Sequence, residues 1–297
     1  MPQTKKKLPL WQRVSLAALV ITTILMGIFN VILYKGICVN PYTITSRFMQ
    51  IESEKIPREL DQFSFVYLTD LEMSEEFSKE KGDKLFSEIA RLDPDVLLIG
   101  GDIFSAATPV SGPMREQMAE WISSVSAPGG KFAVTGEQDV IDSDHSIAVN
   151  DVYAKAQVEV IDNKSVLVTN RTASTISTDS GIRLAGLGLT PDPASIAPSI
   201  MENQYVLLMS HYPDNLLSVK DSGLNPDQAF AGNSHGSQIK WPILGNYRIV
   251  EGSQTINRSH YANTGFNYTI SSGVGCVGLQ ARINSPVEFI YCTLFSK

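Results

Sequence analysis

Five apolar runs of strand length in this chain end on residues able to bind a metal or move a proton. Phe65-Val-Tyr-Leu-Thr leads into Asp70-Leu-Glu72, and Val96-Leu-Leu-Ile-Gly-Gly into Asp102. Phe132-Ala-Val-Thr-Gly ends on Glu137-Gln138-Asp139, Val206-Leu-Leu-Met-Ser on His211, and Ala229-Phe-Ala-Gly on Asn233-Ser-His235. Carboxylates and imidazoles are the usual ligands of catalytic metal ions, and the mouth of a buried strand is where α/β proteins place their chemistry.

Between these ends the pattern supplies the elements that must hold them. Residues 37–60 alternate weakly and predict an edge strand. Phe77, Leu85, Phe86, Ile89 and Leu92 form an apolar stripe over a charged face, which predicts a helix across 77–92. A second helix is expected over 114–125. Strands are expected at 63–68, 96–99, 131–135, 182–189, 205–209 and 287–294, and a strand pair at 158–168 turning at Asp162-Asn163, followed by a polar turn region over 169–181. Helices alternate with strands early and strands dominate late, which predicts an α/β fold of packed sheets flanked by helices.

The segment from Val14 to Tyr34 holds 21 residues without a charge, the length of a membrane-spanning helix, and no small-x-small cleavage site follows it. The sequence divides into a basic tail (1–13), a transmembrane anchor (14–34), a linker with an edge strand (35–60) and one large domain (61–297). Four bases precede the span and one follows, so the tail should stay in the cytoplasm and the domain should face outward. The net charge of −7 resolves into +5 over residues 1–36 and −12 over the rest. A domain that acidic repels a phosphate backbone, so nucleic acid is not an expected partner. Cys38, Cys276 and Cys292 lack metal-type spacing; they read as small apolar residues, with one disulfide open to them.

Taken together, the strand ends resemble those of the calcineurin-like metallophosphoesterases, in particular a small bacterial membrane-associated branch. That family carries Asp-x-His, Gly-Asp, Gly-Asn-His-Asp, a lone His and Gly-His-x-His in this order. Leu-Asp-Pro-Asp-Val-Leu before Gly101-Asp102, Ser-His-Tyr-Pro-Asp at Ser210 and the tail from Gly273 through Pro286-Val-Glu-Phe fit the same pattern. The resemblance implies a sandwich of two mixed sheets and two divalent metal ions that share a bridging carboxylate, clamp a phosphate ester and activate a water. It places Asp70 on the first metal, Asp102 between the two, His211 on the second and His235 back on the first.

Four positions depart from the family pattern. Glu72 stands at the first His, Glu137 at the metal-binding Asn, Gln138 at the His that protonates the leaving group, and Asn233 at the first His of the last motif; Asp139 is retained. The first metal cup would then be Asp70, Glu72, Asp102 and His235, and the second Asp102, Glu137, His211 and Asn233. Cups so rich in oxygen favour Mn, Fe or Mg over Zn. An amide cannot donate a proton at neutral pH, so Gln138 removes general-acid help worth about 10²–10⁴-fold. Two functions are open to such a site. One is a divergent membrane-anchored hydrolase of a phosphate ester or diester outside the cytoplasmic membrane. The other is a catalytically inactive relative that binds a ligand or an envelope partner. His145 is expected on a solvated loop and His260 at the surface or in packing.

Overall fold

The computed structural model describes residues 8–169 and 181–297. The basic run Lys5–Lys7 and most of the polar stretch expected as a turn at 169–181 lie outside the described residues. In chain order the elements are α1 (Leu10–Tyr34), β1 (Ile44–Ser53), β2 (Ser64–Leu68), α2 (Lys79–Arg91), β3 (Val96–Ile99), α3 (Gly112–Ser124), β4 (Gly130–Ala133), α4 (Ser143–Ala156), β5 (Val158–Val160) and β6 (Lys164–Val168). They continue with β7 (Ile182–Leu187), the short α5 (Pro193–Ile196), β8 (Val206–Ser210), β9 (Gln228–Ala231), β10 (Lys240–Trp241), β11 (Gly245–Asn246), β12 (Asn267–Ile270) and β13 (Val287–Ser296).

Two sheets form the centre. One runs β1-β13-β2-β3-β4-β5 and the other β12-β9-β8-β7-β6. Strands β2, β3 and β4 lie parallel, with Leu98 opposite both Tyr67 and Phe132. They are apolar nearly throughout because both faces are covered. One face meets the second sheet through Phe65, Tyr67, Leu98, Leu207 and Phe230, whose ring meets Phe65 edge-on at 5.4 Å. The other face lies under α2, α3 and α4, where Phe86 stacks on Trp121 at 5.7 Å. The long β13 pairs antiparallel with β2 and parallel with β1, so the expected edge strand sits at the rim of the first sheet.

Two expectations change. The strands of 158–168 do not pair with each other: β5 joins β4 and β6 joins β7. Asp162-Asn163 is where the chain passes between sheets, held there by Thr135 N–H donating to Asp162 Oδ1 at 2.9 Å. Helix α4 begins where Asp-Ser-Asp-His-Ser reads as a loop. Asp142 is its N-cap and accepts from His145 N–H at 2.8 Å, and Ala148, Val149, Val152 and Tyr153 form its buried face. His145 is therefore buried at a helix start, while His260 is exposed. All three cysteines are free, Cys276 and Cys292 buried and Cys38 exposed.

The apolar N-terminal run lies within α1, which is long and apolar enough to cross a membrane and has no buried residue.

Candidate metal centre

The parallel strands deliver their ends to one place. Asp70 and Glu72 follow β2, Asp102 follows β3, the Glu137–Asp139 turn follows β4, His211 follows β8, and Asn233 and His235 follow β9. Five of these residues hold left-handed backbone: Asp70 at φ 52°, Glu72 at 51°, Asp102 at 55°, Asn233 at 56° and His235 at 45°. Such conformations are costly away from glycine, and they cluster where a fold over-determines a functional loop. Each turns its side chain sharply at the strand mouth. The loops also pack too closely for side chains at some positions. A Cβ on Gly136 would run into Asp102 Oδ1, and one on Gly232 into Thr69 Oγ1 and Asp70 Oδ2.

Asp70, Asp102 and His211 are all buried, and one ligand atom from each lies within 4.8 Å of the others. His211 Nδ1 sits 2.6 Å from the carbonyl oxygen of Gly100, so Nδ1–H donates there and Nε2 is turned inward. Nε2 stands 2.7 Å from Glu137 Oε2 and 3.3 Å from Asp102 Oδ2. Those approaches lack hydrogen-bond alignment: His211 Nε2 and Glu137 Oε2, like Glu72 Oε2, are buried atoms with no hydrogen-bond partner. Buried polar atoms are normally satisfied. Inward-facing orphans on two carboxylates and an imidazole are what a cation's ligands look like, and a divalent ion with a preference for oxygen and imidazole fits this donor set.

The charges lead the same way. Burial first, then Asp102 and Glu137, push the Asp70 carboxyl up to about 7, with His211 opposing. Glu72 is raised well above its ordinary value, again by burial first and then by Asp102 and Asp70. Burial also acts to raise Asp102, yet the charge of His211 beside it and the bonds from Gln138 hold it below the usual range. His211 is raised: burial opposes its charge, but Asp102 and Glu137 more than compensate. A divalent cation would do for the whole group what the His211 proton does for two carboxylates.

The remaining expected ligands are placed differently. His235 Nε2 is 3.6 Å from Glu72 Oε1 and 3.7 Å from Asp70 Oδ1. Burial and then the Arg282 guanidinium lower its pKa to about 3, which keeps it neutral. The side-chain nitrogen of Asn233 turns away, donating to the carbonyl of Glu251 at 2.6 Å and to Ser253 Oγ at 2.9 Å. Its backbone N–H meets the site, donating to Asp70 Oδ1 at 3.0 Å. Gln138 is buried and points inward. Its side-chain nitrogen donates to Glu72 Oε1 and to Asp102 Oδ2, and its Oε1 accepts from Ala106 N–H at 2.7 Å. Asp139 spends both oxygens on the backbone N–H groups of Asp102, Ile103 and Gly136, so it braces the Asp102 loop. His145 bonds Asp142 and the carbonyl of Ser105 and reaches none of these ligands.

Arg282 does not stand out in the sequence. It is fully buried, and its guanidinium donates to the carbonyls of His235, Ser272, Gly275 and Pro286, tying the β9 loop to the C-terminal segment. Nothing in the local pattern Leu-Gln-Ala-Arg-Ile announces a buried cation; the acidic balance of the domain is the one available hint.

No family model matches the chain. It is 22% identical over 258 residues to an uncharacterized metallophosphoesterase of Helicobacter pylori, covering 82% of this chain and 62% of that protein. It is 23% identical over 256 residues to the uncharacterized metallophosphoesterase Cj0846 of Campylobacter jejuni, with the same two shares. A third relative, the uncharacterized metallophosphoesterase YkoQ of Bacillus subtilis, is 31% identical over 96 residues, 31% of this chain and 34% of that one. The chain thus spans less than two thirds of the H. pylori and C. jejuni relatives it matches. The solved calcineurin-like phosphoesterase YfkN of Bacillus subtilis covers 71% of this chain and 81% of its own at 10% identity, with a TM-score of 0.38, too low to add to the case. Alongside the sheet sandwich and the ordered strand-end ligands, these relatives support the resemblance to the calcineurin-like metallophosphoesterases.

Proposed function

We propose that this protein is a divalent-metal-dependent phosphoesterase, anchored by α1 in the cytoplasmic membrane with its domain outside, that hydrolyses phosphate esters whose leaving group departs without a proton. The observation that carries this reading is the buried Asp70, Asp102 and His211 cluster with its inward-facing orphan atoms. Asp70, Asp102, His211 and Glu137 would hold the ion, with Glu72 Oε2 and His235 at its margin. A bound divalent ion supplies Lewis acidity toward a phosphoryl oxygen and lowers the pKa of a water.

The chain's own residues set the limits of that chemistry. His211 is held by Gly100 with its Nε2 toward the carboxylates, and Asp139 and Gln138 fix Asp102 through its backbone and both its oxygens. Gln138 has no proton to give, and both faces of its amide are engaged. Leaving groups that are stable as anions, such as aryloxides or phosphates, suit such a site; simple alkoxides do not.

The test is hydrolysis by the full chain in detergent with Mn²⁺ or Mg²⁺, comparing an aryl and an alkyl phosphodiester. Metal-dependent turnover of the aryl ester, lost in Asp102→Asn, is expected. Binding of metal with no turnover of either ester would favour the inactive, ligand-binding alternative, for which the engaged Gln138 amide is the supporting observation.

A further inference from the structure

Among the described residues, the turn between β10 and β11 carries the most exposed apolar side chains of the domain. Ile243 is 105% and Leu244 84% exposed, and Tyr247 and Leu279 nearby are 75% and 61% exposed. Ile243 also holds φ 71°, an unfavourable conformation for a β-branched residue. Scattered exposed apolar residues need no explanation, but a projecting group of them marks an interaction surface.

The same hairpin is joined to α1. Trp241 stacks on Phe29 with ring centroids 5.8 Å apart and 16° between planes. Ile32 and Trp241 pack against Ile239, Ala281 and Ile283. Gly36, just beyond α1, accepts from Arg282 N–H at 2.7 Å, and Asn40 Nδ2 donates to the Arg282 carbonyl at 2.7 Å. The helix is therefore fixed against the domain on the hairpin's side. Phe29 lies five residues before the end of α1, about 8 Å along its axis. Its partner Trp241 is thus level with the last turns of the helix, the depth at which tryptophans gather in membrane proteins. Lys240 and Arg248 flank the hairpin in sequence and Lys35 follows α1, and among the described residues none of their side chains makes an ion pair or side-chain hydrogen bond.

We infer that the β10–β11 hairpin is a second membrane contact. Ile243 and Leu244 enter the acyl region of the leaflet that receives the C-terminal end of α1, Trp241 lies at the interface, and the three bases face anionic headgroups. The inference rests on the reading of α1 as a membrane span. Its consequence concerns the site: a cleft lined by His235, Gln238, Tyr247, Arg248, Val250 and Leu279 joins the hairpin to the metal-centre side of the β9 loop. Two contacts with one leaflet fix the domain's tilt and hold that cleft against the bilayer surface.

The experiment uses the full chain in phosphatidylcholine–phosphatidylglycerol vesicles, with Cys38→Ser and a fluorophore on a single introduced cysteine: Leu244→Cys, Ile28→Cys within α1, or Ile147→Cys on α4. Quenching is read with nitroxides attached to the acyl chains. The expected result is loss of most of the emission at positions 28 and 244 and little loss at 147, with Ile243→Glu restoring emission at 244. Quenching at 28 without quenching at 244 overturns the inference and leaves the span intact. No quenching at either position overturns both. Protection at 244 from lipid and aqueous quenchers alike, with copies cross-linked through that residue, identifies a self-association surface and also overturns it.

Discussion

Gln138 and Asp102 are joined twice: the backbone N–H of Gln138 donates to Asp102 Oδ1 at 2.8 Å, and its side-chain amide donates to Oδ2 at 3.1 Å. The same amide reaches Glu72. Two buried carboxylates that would otherwise repel one another are thus bridged by a neutral donor, at the position where the resemblance would put an imidazole that gives up a proton. Removing that bridge with Gln138→Ala leaves both acids short of a donor. The metal-free protein should lose about 1–3 kcal/mol of stability, and a divalent ion should recover more of it than it adds to the wild type. Thermal unfolding with and without Mn²⁺ measures both; equal metal-induced shifts in the two proteins would refute the bridging role.

Asp139 makes a different prediction. It accepts from three backbone N–H groups and is 1% exposed. Asp139→Asn replaces one acceptor oxygen with a donor that faces amide hydrogens, so the variant should be destabilised by about 2–3 kcal/mol. Because these bonds fix the Asp102 backbone, metal affinity should fall as well, although Asp139 touches no ion. Unchanged stability together with lost activity would instead place Asp139 among the reacting groups.

The resemblance puts Asn233 at a ligand position, but its side-chain nitrogen anchors the 251–253 segment. Asn233→Ala should therefore cost about 1–2 kcal/mol through the lost bonds to Glu251 and Ser253, while metal content stays at the wild-type level. Loss of metal in this variant would show that the side chain swings inward to ligate.

Metal-free stability should fall as pH rises toward neutrality. Asp70 and Asp139 are both raised from 3.8 to about 7, each by burial first. Between those limits the folded state retains protons that the unfolded chain has released, so the slope of stability against pH is negative. Asp102, held below its ordinary value, is ionised in both states across this window and adds no slope. His235, lowered from 6.5 to about 3, opposes the trend below its ordinary value, with one proton against the two of Asp70 and Asp139. The melting temperature without metal should be higher near about pH 5 than near about pH 7.5, and saturating Mn²⁺ should shrink the gap, since a ligand of the folded state raises its stability. A metal-free melting temperature that climbs over this interval would contradict the assignment.

Much of the site is legible in the sequence because a parallel strand buried on both faces is a short apolar run, and the residues just after it must lie at the sheet's edge. Asp70, Asp102, His211 and His235 announce themselves in this way. The direction of a side chain at that edge is set by contacts far along the chain, which is why Asn233 turned toward Ser253, and Gln138 turned inward onto Glu72, are not readable. The pairing of β5 and β6 with different sheets is hidden for a related reason: their spacing also suits a hairpin, and only the packing of the two sheets decides. Arg282 is apparent only when the carbonyls it gathers are brought together by folding.

The central claim is that the buried cluster holds a divalent ion. Its most direct test is elemental analysis of the full chain purified in detergent and equilibrated with Mn²⁺, beside Asp102→Asn and His211→Ala. The account predicts bound Mn²⁺ in the wild type, with most of it lost in both variants while each remains folded. Wild-type protein that retains no more metal than the variants would contradict it.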